Sequence, residues 1–179
     1  MKYKRIIFIP LLLSLMGLMC LNGISQEPEL PLLMDFAQLK LEVNNTEVVD
    51  QIYGMDMTTL SAKEGYKLVV VTLKGIVPHP CRIILETSEF SAIYEEEITN
   101  FKGEKEVDIK DRVSDAFATG GSWRIPPVGA RVFTTCWIKE PGPIILKVAF
   151  TLPEKITNFF VRYPALAKGK ATISAQAGE

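Results

Sequence analysis

The sequence predicts an all-β fold, an antiparallel β-sandwich or barrel with one short helix near residues 107–117. Three observations carry that prediction. Apolar residues recur at alternate positions over most of the chain, the spacing that half-buries a strand. About eight such runs are short and separated by Pro, Gly, Asn or Asp clusters, the rhythm of packed antiparallel sheets. One segment departs from it: Ile109, Val113 and Phe117 stand four apart, as on one face of a helix.

In chain order, residues 1–25 have the layout of an export signal. Lys2, Lys4 and Arg5 precede an apolar run from 6 to 19, and Gly23 and Ser25 set up cleavage before Gln26. The run is shorter than the roughly 20 apolar residues of a spanning helix. A rival reading makes Cys20 the lipidated first residue of a lipoprotein, but bulky Met19 precedes it where a small side chain is usual. Residues 26–35, with Pro28 and Pro31, form an extended leader, and 36–176 a single domain.

Within that domain, Ala37, Leu39, Leu41 and Val43 alternate as a first strand, which Asn44-Asn45-Thr46 ends as a turn. Residues 48–60 carry only a weak pattern. YKLVVVTL, residues 66–73, places Val69, Val70 and Val71 in succession, so this strand is covered on both faces and central. Pro78-His79-Pro80 bends the chain, because each Pro fixes φ. Residues 81–85 and 90–94 are two further strands. After the helix, Gly120-Gly121 opens a long loop, 120–129, holding Trp123, Arg124, Pro126 and Pro127. Strands resume at 131–138, 144–151 and 157–163. The last two are joined by a hairpin-like corner at Pro153-Glu154-Lys155, and 171–175 adds an edge.

The chemistry on offer is sparse. The net charge is −1, and removing the three signal cations makes the remainder more acidic, so no basic face marks a nucleic-acid binder. His79 is the only histidine and sits between two prolines, a poor place for a proton shuttle. One His and two distant Cys do not make a zinc site. Glu95, Glu96 and Glu97 alternate faces on a strand, so they do not converge and read as a solvated edge. Asp108, Asp111 and Asp115 line one side of the helix without the alternate spacing of a calcium loop. No catalytic residue, metal site or cofactor is expected.

Two features remain. In an oxidising compartment Cys81 and Cys136 are either a disulfide or two buried thiols. Trp123 and Arg124 are the candidate binding residues, since Trp and Arg are enriched where proteins meet partners; the alternative is a Trp that plugs the end of the fold.

The order of an export signal, AKEGYKLVVVTLKG (62–75) and ILKVAFTLPEKITNFFVRYP (145–164) resembles the immunoglobulin-like β-sandwich domains of exported bacterial proteins and lipoproteins. Residues 65–73 match the entry into the valine-rich strand, and Phe150, Pro153 and Tyr163 match the C-terminal corner. The resemblance implies an immunoglobulin-like antiparallel sandwich and carries no catalytic residues. It leaves 91–129 unaligned.

The expected function is an exported, non-catalytic module, periplasmic or extracellular, that binds a protein or envelope component through its end loops. The membrane would be met only through the signal segment or a lipid on Cys20. The alternatives are an envelope hydrolase built on carboxylates, or a membrane-tethered structural lipoprotein.

Overall fold

The computed structural model describes residues 30–33, 36–127, 130–163 and 167–173. The signal segment, Cys20 and the end of the expected domain at 174–176 lie outside these residues. At 65% strand and 4% helix the fold is mostly β, far from the usual mixture, and its antiparallel sheets are not closed into a barrel.

Thirteen strands are formed among the described residues: β1 (Glu42–Val49), β2 (Gln51–Tyr53), β3 (Thr59–Ser61), β4 (Tyr66–Val77), β5 (Cys81–Glu86), β6 (Ser91–Thr99), β7 (Lys105–Val113), β8 (Ala116–Thr119), β9 (Ser122–Arg124), β10 (Phe133–Ile138), β11 (Gly142–Pro153), β12 (Asn158–Tyr163) and β13 (Ala167–Thr172). A five-stranded sheet has the order β1-β4-β11-β8-β9, and a four-stranded sheet the order β13-β12-β6-β7. β10 pairs with β5, and β2 with β3.

The valine run behaves as its composition dictates. β4 and β11 pair over their whole length, from Tyr66 opposite Pro153 to Val77 opposite Gly142. Val69, Val71 and Leu73 of β4 join Leu146, Val148, Phe150 and Leu152 of β11 in the main core. Ile83 and Leu85 of β5, Ala92 and Tyr94 of β6, and Phe159, Val161 and Tyr163 of β12 enter the same cluster. The opposite face of β4, Leu68 and Val70, packs with Ile52, Ala116 and Ala149 in a second cluster beneath the β2–β3 hairpin. Consecutive strand residues point to opposite faces, so a strand covered on both must be apolar without a break.

Four expectations are corrected. The helix near 107–117 is absent. Residues 105–113 are strand β7, paired with β6 from Ser91 opposite Val113 to Thr99 opposite Lys105. A spacing of four is even, so Ile109 and Val113 share one face of a strand as readily as of a helix, while Phe117 belongs to β8 beyond a break at Ser114-Asp115. Gly120 (φ 62°) and Gly121 (φ 88°) therefore do not end a helix; they form the two-residue loop of the β8–β9 hairpin, where left-handed φ matches the strand twist.

The corner at Pro153-Glu154-Lys155 is not a hairpin. β11 lies in the five-stranded sheet, and β12 pairs with β6 and β13 in the other, so the corner carries the chain between layers. The Phe150 and Phe159 rings meet edge to face across it, centroids 6.2 Å apart. At the first strand, residues 36–39 form a 3-10 turn, and Asn44-Asn45-Thr46 lies inside β1 at a register shift between Val43 and Asn45. Turn chemistry there makes a bulge instead of an end. Gly75 permits the close passage of the chain entering β1, because a Cβ would stand 2.6 Å from the Leu39 carbonyl oxygen.

The leader is held at Leu33, whose N–H donates to Arg82 O at 2.8 Å, while Arg82 N–H donates to Pro31 O at 2.8 Å. Leu33 itself is buried in the main core.

Candidate functional site

β7 is the outer strand of its sheet, and it runs past the main core. Its side chains alternate in direction: Asp108, Lys110 and Arg112 on the inner side, Val107, Ile109, Asp111 and Val113 on the outer. Beside it lies an open cleft of about 720 Å³. One wall is the continuous run from Lys110 to Asp115; the other is Ile125, Pro126, Pro127 and Ala130, with Tyr94 and Leu60 between them. Because residues of both parities line it, the cleft follows the edge of β7 and not one face.

The polar groups of the cleft are ordered by ion pairs. Lys110 Nζ lies 2.5 Å from Asp108 Oδ2 and holds that carboxyl below its ordinary range, first through the hydrogen bond and then through its charge. Asp115 takes a hydrogen bond at 3.0 Å from an Arg112 terminal nitrogen and a second at 2.6 Å from Thr151 N–H. Asp115 also donates its own N–H to Ala149 O, so it anchors the chain between β7 and β8 to β11. Burial, and then the nearby Glu96 carboxylate, raises the Tyr94 phenol above its ordinary value and keeps it protonated. The Arg112 Nε–H is buried with no acceptor among the described residues. An unmatched buried donor costs about 1–3 kcal/mol, more when charged.

Trp123 and Arg124 part company. Trp123 packs against the second apolar cluster and accepts a hydrogen bond at its backbone carbonyl from Met55 N–H at 3.2 Å. Arg124 is exposed immediately before the Ile125–Pro127 wall, and its charge helps lower the Asp56 carboxyl, after the hydrogen bonds from Thr58.

The disulfide between Cys81 and Cys136 is not formed; both are free thiols. Cys81 stands opposite Ile138 and Cys136 opposite Ile83, so the two are diagonal on neighbouring strands. Diagonal residues are roughly 7–8 Å apart, with Cβ atoms only somewhat closer, beyond the roughly 3.5–4.5 Å Cβ separation a disulfide needs. Burial pushes both thiols up.

His79 is exposed and faces only the Pro80 carbonyl, at 3.2 Å. Glu95 and Glu97 are exposed and Glu96 faces inward, where Lys155 meets it at 3.2 Å. The three do not converge; they occupy an inner strand, and β7 is the edge. Asp111 points away from Asp108 and Asp115 to pair with Arg162 at 2.7 Å. Glu86 and Glu89 are neighbours, yet they serve a 3-10 turn: Glu89 Oε2 accepts from Glu86 N–H at 2.9 Å. Neither lines the cleft. No group of three metal-ligating side chains occurs among the described residues.

Sequence reasoning missed Lys110 and Arg112 as site residues. Read as a strand, 105–113 would have placed both on one side of an edge; read as a helix, it scattered them. Comparison with protein-family profiles, curated proteins and solved structures finds no match to this chain.

Proposed function

We propose that the protein is an exported, non-catalytic, immunoglobulin-like β-sandwich module that captures an extended segment of a partner polypeptide along the edge of β7. The observation that carries this reading is the unpaired outer edge of β7 beside an open cleft. A peptide laid in the cleft supplies backbone carbonyls to the free N–H groups of β7, the geometry of strand addition. Pro126 and Pro127 make a rigid opposite wall that itself offers few donors for pairing. The charged side chains of β7 discourage indiscriminate edge pairing and select partners of matching charge. The export layout of residues 1–25 and the antiparallel layers around one core support the periplasmic or extracellular assignment and the sandwich class.

Selection of a random-peptide display library on the immobilised protein tests this. Enriched peptides should protect β7 amides from hydrogen exchange on binding. Arg124→Ala reports whether the exposed cation at the end of β9 contributes. Protection that falls on β1 or β9 with β7 unchanged would refute the edge assignment.

A further inference from the structure

The outer face of the four-stranded sheet has no covering layer among the described residues and is unusually apolar for a solvated surface. Ile109 is 68% exposed, Val107 64% and Phe160 49%, and Ile93 is half-buried between them. A depression of about 420 Å³ lies among Ile93, Ile109, Phe160, Asn158, Glu95 and Lys170. An exposed apolar patch of this kind on a soluble domain marks a contact surface.

The charges around the patch say what fits it. The register places Lys170 opposite Phe160, Phe160 opposite Ile93, and Ile93 opposite Asp111. One transverse row therefore reads cation, aromatic, aliphatic, anion; Arg162, in the next row on the same face, pairs with that anion, Asp111, at 2.7 Å within the chain. Alongside it, Glu95 stands opposite Ile109 on the acidic half. Turning a second copy about a two-fold axis that lies in the interface, parallel to the strands and between β12 and β6, reverses this row. Lys170 of each copy then faces Asp111 of the other, whose carboxylate it shares with Arg162 of that copy, and each Phe160 faces an Ile93. An axis across the strands would instead oppose like charges. Isologous contacts require such self-complementarity.

We infer that this face is a homodimer interface, built by two copies stacking their β13-β12-β6-β7 sheets with antiparallel charge rows. The β7 edge stays on the rim, so the dimer carries two clefts, and this inference stands independently of what the clefts bind.

Sedimentation equilibrium of the purified protein over a concentration series tests it. The protein should dimerise, and Phe160→Glu should give monomer with an unchanged circular dichroism spectrum, while the melting midpoint of the wild type, unlike that of the variant, should rise with protein concentration. Lys170→Glu alone and Asp111→Lys alone should each weaken self-association about tenfold, by opposing like charges across the interface. Mixing those two variants should restore dimer. At one contact the introduced carboxylate then meets the introduced ammonium, while the other keeps its native Lys170–Asp111 pair. A monomer at all concentrations would overturn the inference. So would a dimer that survives Phe160→Glu, or a mixture no tighter than its components.

Discussion

Replacing Tyr163 by Phe removes one oxygen and little else, which makes it a sharp test of how the ends of the fold are joined. The ring belongs to the main core, and its hydroxyl donates to the Leu41 carbonyl at 2.7 Å across a sequence separation of 122 residues. Both residues are buried, at 6% exposure each, so the carbonyl gains no solvent when its donor is deleted. A typical hydrogen bond contributes about 1 kcal/mol net, and an orphaned buried acceptor costs about 1–3 kcal/mol. The expected destabilisation is thus about 1–3 kcal/mol, with no packing term because the ring remains. For a domain of this size each kcal/mol moves the melting midpoint by about 2–4 °C. Urea unfolding followed by Trp fluorescence measures it: the midpoint should fall at constant slope, since the surface exposed on unfolding is unchanged. Tyr163→Ala sets the scale, adding a cavity loss of about 3–5 kcal/mol. A Tyr163→Phe effect within about 0.3 kcal/mol of zero would refute the argument, because a buried carbonyl left without a donor cannot be neutral.

Two further predictions concern titrating groups. Glu89 is raised above its ordinary value, first by burial and then by the Glu86 carboxylate, against the lowering pull of the Glu86 N–H. A raised acid favours folding most below its unfolded value, near 4.5, and that advantage is lost as pH rises through the folded value. Glu89→Gln keeps an acceptor for Glu86 N–H and removes the charge, so it should stabilise at pH 7 and match wild type in acid; a pH series of urea midpoints showing a constant difference would contradict this. For Cys81 and Cys136, burial raises both thiols, so neither is a good nucleophile near neutrality. Iodoacetamide should label them more slowly in the native protein than in urea, Cys81 slowest, and intact mass should show no loss of two hydrogens; equal labelling rates or an oxidised mass would count against one buried and one half-buried free thiol.

Much of the sheet scaffold was legible in the sequence, for a physical reason. Strands buried on both faces need an unbroken apolar run, so Val69-Val70-Val71 announced a central strand without any knowledge of its neighbours. What failed was every inference that needed non-local pairing. Pro153-Glu154-Lys155 has the same turn chemistry whether the next strand folds back or crosses to another layer, and only the partners of β12 decide. The even spacing of Ile109, Val113 and Phe117 fits both periods, and the break at Ser114-Asp115 that separates them is fixed by the hydrogen bonds of Asp115 to Ala149 and Thr151. The site was hidden by the same ambiguity. Lys110 and Arg112 become walls of a cleft only once β7 is an edge. Trp123 was visible as an aromatic in a loop, but whether it packs or projects depends on β2 and β3 lying above it.

The long pairing of β4 with β11 also dictates when the molecule can exist. β4 borders β1 on one side, but its other side waits for residues 142–153. Until those are made, a valine-rich strand stands with one row of backbone groups bare, and closing the intervening loop carries a large entropic cost. Completion of the five-stranded sheet therefore waits on distant contacts, and a chain that stops before residue 142 lacks the strand that covers this edge of β4. Were the chain exported as proposed above, such a delay would keep it extended until nearly all of it had crossed the membrane.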